Sequence, residues 1–110
     1  MSDYVVVLVT APSESTGRDI AAALLDHRLC ACVNILPSVT SLYVWEGEVC
    51  QDEEVLLLIK TTAREFDALA AMVRENHPYD VPEIIATPVI EGSPDYLAWI
   101  EVSTQPKAHD

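Results

Sequence analysis

The residues of this 110-residue chain best able to hold a metal ion or a ligand are three cysteines, three histidines and one short acidic, tyrosine-bearing segment. In His77-Pro78-Tyr79-Asp80-Val81-Pro82-Glu83 an imidazole, a phenol and two carboxylates crowd one connection. Imidazole ligates transition metals through either ring nitrogen, and a carboxylate adds an oxygen. His77 and Glu83 are therefore candidate metal ligands. A histidine closing a helix equally suits hydrogen bonds to backbone carbonyls.

Cys32 is the third candidate. Cys30-Ala31-Cys32 sets two thiols on one face of a strand. Cys50 lies about 36 Å further up the same ribbon, at about 3.3 Å per residue, so one chain does not gather all three thiols. Each cysteine also reads as a small buried hydrophobe. His27 falls near a helix end, where it favours the dipole, and His109 lies in the tail. No nucleophile stands beside a base, and the three glycines (Gly17, Gly47, Gly92) make no phosphate cradle. Lys60, ending a strand beside Thr61 and Thr62, suits either an anion or a structural charge. No enzyme is expected.

Eighteen acids against six Lys and Arg give a net charge of −12. Such a surface repels phosphate backbones and anionic membranes and draws cations near. Neither nucleic acid nor a membrane is an expected partner. The N-terminal apolar run has an acid before it and no basic lead. It is too short for a secretory leader or a membrane span, so a cytoplasmic protein with reduced thiols is expected.

The elements that must position these groups follow from periodicity. Tyr4–Thr10 is a continuous apolar run, read as a central strand buried on both faces. Ser13 caps a helix with Ile20, Ala21, Leu24, Leu25 and Leu29 on one face. Cys30–Leu36 and Val39–Trp45 form one long strand with a bulge or edge at Pro37. Glu46–Gly47 is the turn, and Val49–Lys60 returns, its second half apolar and its first half acidic. Thr62–Glu65 matches a capping box, followed by the stripe Phe66, Leu69, Ala70 and Val73. Pro78 ends that helix. Glu83–Ile90 is the last main strand, and Ser93-Pro94 starts a C-terminal helix.

The order β-α-β-β-α-β plus a helix is the split βαβ, ferredoxin-like arrangement of an α+β fold. A single domain over 1–110 is expected, with its core at about 4–104 and a polar tail at 105–110. With the turn at Glu46–Gly47, Tyr43 faces Cys50 and Cys32 faces Thr61. The arms are far longer than an ordinary strand. Their tip carries Tyr43, Trp45 and Val49, and further copies of the chain are the economical cover.

The runs CACVNILPSVTSLYVWEG, EVLLLIKT, HPYDVPEIIATPVIEG and YLAWIEVST resemble the CutA divalent-cation tolerance family, from about Val5 to Thr104. The resemblance implies a homotrimer similar in architecture to PII signalling proteins, which bind small ligands in clefts between subunits. It implies a response to divalent metal, copper above all. Cys32, His77, Tyr79, Pro82, Glu83, Trp45 and Lys60 match family positions. Cys30 stands where the family usually has alanine. Where some copper-binding relatives carry a cysteine and two adjacent histidines, this chain has Val9, Asn76 and His77. Three readings result. One is a metal-binding trimer using His77, Glu83 and Cys32, with a divalent ion such as Cu²⁺ as its cofactor. Another binds a metabolite through Lys60, Trp45 and Tyr79 in an intersubunit cleft. The last is a scaffolding trimer.

Overall fold

The computed structural model describes residues 3–106; His109 and the end of the expected tail lie outside them. Four strands and three helices follow in the order β1 (Tyr4–Ala11), α1 (Glu14–Asp26), β2 (Cys32–Trp45), β3 (Glu48–Thr62), α2 (Phe66–Asn76), β4 (Ile85–Pro88) and α3 (Pro94–Ser103). A 3₁₀ turn over Ala63–Glu65 leads into α2. The sheet is antiparallel throughout, in spatial order β2-β3-β1-β4. Each β-α-β crossover thus skips one strand, which defines the ferredoxin-like fold.

The core lies between one face of the sheet and helices α1 and α2. Val7, Val9, Leu57 and Ile59 alternate inward from the two central strands and meet Ile20, Leu24, Leu69 and Val73, all fully buried. Gly17 allows α1 this close approach, because a Cβ there would sit 3.2 Å from both Leu57 and Val55. Ser13 caps α1 as its sequence indicates, its hydroxyl accepting from the Thr16 N–H at 3.1 Å.

Four expectations change. β1 is not buried on both faces: Val6 and Leu8 are half-buried on the open side of the sheet. The last strand spans only four residues, all exposed, and pairs only with β1. The capping box does not form. Thr62 stays extended at the end of β3, pairs with Tyr4 and buries its hydroxyl without a partner. The tertiary ladder outweighs the local cap there.

The fourth change is one of register. Tyr43 faces Cys50, but Cys32 faces Lys60 rather than Thr61. Between the pairs Leu36–Leu56 and Val39–Glu54, β2 has two residues (Pro37 and Ser38) against one in β3. This is a β-bulge, and Ser38 takes its left-handed backbone at φ 59°. Sequence reasoning located the bulge but not its one-residue shift.

Candidate functional site

The helix-to-strand connection after α2 is built around His77. Pro78 stops the helix, and His77 turns extended, the residue only 9% exposed. Its Nε2–H donates to the Thr10 carbonyl at the end of β1, at 2.7 Å. Its Nδ1 accepts the Tyr79 N–H at 3.2 Å. Both ring nitrogens are engaged, and the Tyr79 ring packs on the imidazole with centroids 4.7 Å apart. His77 thus pins the segment to the sheet edge and aims Tyr79 outward.

Tyr79 then reaches β3, where its hydroxyl donates to Glu54 Oε2 at 2.9 Å. Beside it, the Tyr43 hydroxyl donates to Asp52. Asp52 and Glu54 alternate along β3 and therefore share a face. Between this part of the hairpin, Thr10 of β1 and the segment 79–83 opens a cleft of about 660 Å³. Tyr43, Trp45 and Tyr79 give it aromatic wall, and Asp52, Glu54, Asp80 and Glu83 give it four carboxylates. Among the described residues no lysine, arginine or histidine lines it.

The chemistry of the cleft is that of an uncompensated anionic surface. Glu54 is only 8% exposed, yet no cation lies within ion-pair distance of it among the described residues. Loss of solvent, and then the Glu54 charge, hold the Glu83 carboxyl above its ordinary range. The Tyr43 phenol is pushed up to about 12, chiefly by its hydrogen bond to Asp52. Tyr79 is pushed up to about 12 by loss of solvent and then by its bond to Glu54. Both phenols therefore remain donors at neutral pH.

The residues singled out from sequence separate into two groups. Trp45, Tyr79 and Glu83 line the cleft. Lys60 and Cys32 do not; they face one another across β2 and β3. Lys60 donates to the Asn34 side chain and lies 3.8 Å from the Cys32 sulfur. Val6, the β1 partner of Lys60, precedes Thr10, the anchor of His77, by four residues along that strand. The two groups therefore stand about 13 Å apart along the strand direction, at about 3.3 Å per residue. Among the described residues no three His, Cys, Asp or Glu side chains converge to hold one metal ion. Sequence reasoning missed Asp52, Glu54 and Tyr43. The pairing Tyr43–Cys50 was the available signal, since it sets Asp52 one step along the same face.

A ferredoxin-like sheet extended by an overlong hairpin, with an acidic cleft beside it, defines the class of α+β protein to which this chain conforms. The sequence model of the CutA1 divalent ion tolerance proteins matches residues 5–103, and this chain belongs to that family. The divalent-cation tolerance protein CutA of Thermus thermophilus is 54% identical over 99 residues, covering 90% of this chain and 96% of that protein. The CutA of Citrobacter koseri is 46% identical over 101 residues, 92% of this chain and 88% of that protein. Among solved structures, the T. thermophilus CutA1 superposes with a TM-score of 0.91 at 52% identity, covering 93% of this chain and 99% of that one. CutA1 of Oryza sativa does so with a TM-score of 0.92 at 44% identity, covering 96% and 97%.

Proposed function

We propose that this chain acts in divalent-cation tolerance as a cytoplasmic homotrimer that binds a divalent metal ion, copper above all, and catalyses no reaction. The observation that carries the reading is the family match across residues 5–103. The trimer is supported by what one chain leaves uncovered. Val44, Trp45 and Val49 at the hairpin tip are 70%, 55% and 76% exposed, and the open face of the sheet keeps Val6, Leu8, Leu56 and Leu58 half-buried. Apolar surface of that extent is normally covered by a partner.

Because no three ligands converge among the described residues of one chain, the ion is placed between copies in this reading. Glu83, at the cleft rim, and Cys32, on the open sheet face, are the ligands of the expected set that a neighbouring copy can complete. His77 contributes by fixing the 77–83 segment, and as a ligand only at the cost of one of its two hydrogen bonds. Oxygen and sulfur donors together suit copper or zinc.

Copper titration of the reduced, tag-free protein by calorimetry tests the site. Glu83→Gln and Cys32→Ser should each weaken binding, whereas His77→Ala should also lower the melting temperature. Unchanged copper affinity in both of the first two variants would remove the site. The reading of a metabolite held by Lys60, Trp45 and Tyr79 is favoured only in part by the geometry, since Trp45 and Tyr79 share the cleft and Lys60 stands apart. A ligand there meets carboxylates rather than an ammonium.

A further inference from the structure

Two unrelated irregularities fall on one residue at the end of α1. The Leu29 N–H donates to the Leu24 carbonyl at 3.0 Å and the Arg28 N–H to the Leu25 carbonyl at 3.1 Å, the paired bonds of a Schellman cap. That cap needs a left-handed residue, which glycine supplies without strain, yet Arg28 stands there at φ 54°. The same residue buries its Nε without a hydrogen-bond partner. No carboxylate lies within ion-pair distance of the guanidinium among the described residues. A buried donor left unpaired bears the full penalty of its lost hydration. A strained backbone and an orphaned donor on one side chain point to a partner outside the chain.

A structural reason for the arginine would be to bond the last carbonyls of a helix. Those carbonyls are already answered. At α1 the cap takes Leu24 and Leu25, and His27 takes Ala23. At α3 the N–H groups of Thr104 and Gln105 take Ile100 and Val102.

Arg28 lines a recess of about 260 Å³ between the turn after α1 and the last turn of α3. Cys30 and Ala31, just before β2, form its floor, so it lies at the far end of that strand from the hairpin tip. Its volume is below the range of about 300–1,000 Å³ that holds a drug-sized ligand, so the occupant is small. The planar guanidinium fork matches a carboxylate or a phosphate. Asp26 lines the same recess and decides between them. It repels a doubly charged phosphate, whereas it attracts an ammonium carried beside a carboxylate. Arg28 and Asp26 are two positions apart in sequence, and an α-amino acid carries its opposite charges on one carbon.

We infer that this recess binds a small α-amino acid, its carboxylate on Arg28 and its ammonium at Asp26, with the Ser103 hydroxyl and Leu25 completing the wall. The site goes beyond the metal reading and uses none of His77, Glu83 or Cys32.

Amide NMR titration of the tag-free, assembled protein with glycine, L-alanine and L-serine tests this, with acetate and inorganic phosphate as anions lacking an ammonium. Saturable shifts should be confined to residues 25–31 and Ser103, and the amino acids should bind several-fold more tightly than acetate. Arg28→Gly relieves the left-handed strain, so the variant should melt no lower than the native protein. Its amino-acid affinity should nevertheless fall about tenfold or more, as expected for lost charge-assisted hydrogen bonds. Arg28→Lys keeps the charge and loses the fork, and should weaken binding several-fold. This second variant keeps the test decisive if Arg28→Gly loosens the turn. Asp26→Asn should weaken the amino acids several-fold and leave acetate unchanged. Absence of saturable shifts overturns the site. Acetate or phosphate binding as tightly as the amino acids overturns the assignment of the ligand and leaves a simple anion site. A lower melting temperature in Arg28→Gly with amino-acid binding intact overturns it as well, because the guanidinium would then only brace the turn.

Discussion

The two halves of the β2–β3 hairpin share one ladder and one twist but differ in what covers them. In the lower half, Leu57 and Ile59 are fully buried against β1 and the helices. In the upper half, Leu42, Val44 and Val49 are 66%, 70% and 76% exposed. Within one chain the upper half is held by its own ladder, by cross-strand bonds such as Thr40 to Glu53 at 2.9 Å and Tyr43 to Asp52, and by the bond from Tyr79 to Glu54. A lone two-stranded ribbon is marginal in water. The lower half is thus held by this chain's own core, while the upper half depends on something outside it. The cleft sits at the junction, where rigid sheet gives way to free ribbon.

The largest expected effect tests that division directly. Leu57→Ala should lower stability by about 2–5 kcal/mol through lost burial and a residual cavity, read by chemical denaturation. Leu42→Ala at the tip should stay within about 0.5 kcal/mol for the isolated chain. Comparable losses at the two positions would mean that the tip is as well packed as the core, and the division would fail.

The next effect is on assembly rather than folding. Val44→Asp combined with Val49→Asp places two charges on the apolar tip. Light scattering should show the assembled mass falling toward that of a single chain, while circular dichroism keeps its α+β signature. An unchanged mass would show that the tip is not an interface and that the open sheet face alone carries association.

What could be read from the sequence follows the same division. Elements of the core half were legible because periodicity reports burial: the β1 run, the α1 cap at Ser13 and the end of α2 before Pro78 all appear where expected. The hairpin turn and the pair Tyr43–Cys50 were legible from Glu46-Gly47 and simple counting. The shift at Pro37 and Ser38 was not, because a proline signals a bulge without stating how many residues oppose it. Thr62 misled because a local capping pattern carries no information about the β1 partner that keeps it extended. Of the candidate site, Tyr79 and Glu83 stood out in the HPYDVPE segment and Trp45 at the hairpin tip, and the resemblance added to both, whereas Asp52 and Glu54 looked like an ordinary acidic run. Only the approach of Tyr79 from a distant segment distinguishes them.

The cysteines sharpen the core side of the comparison. Cys30 is buried, and loss of solvent, with Cys32 nearby, pushes its thiol up to about 12. An unfolded thiol ionises near pH 8.5, so between that value and about 12 the folded chain holds a proton that the unfolded chain has released. Stability should therefore fall as pH rises through this window, and Cys30→Ala should flatten the fall. Iodoacetamide should leave Cys30 unmodified in the native protein near pH 8 and reach it on denaturation, as mass spectrometry of the peptide would show. Labelling of Cys30 in the native state would mean that the lower half opens readily and is not the rigid partner in the comparison.

The smallest effect lies at the junction itself. Glu83 is held above the ordinary carboxylate range by loss of solvent and by Glu54. Above about pH 4.3, where an unfolded glutamate gives up its proton, the folded chain retains more of it. Stability contributed here is present at lower pH and falls as pH rises through the raised value. Because Glu83 is largely solvated, the change should be modest, a slight downward slope in melting temperature as pH rises above about 4.3 that Glu83→Gln removes; the same slope persisting in Glu83→Gln would assign it to other carboxylates.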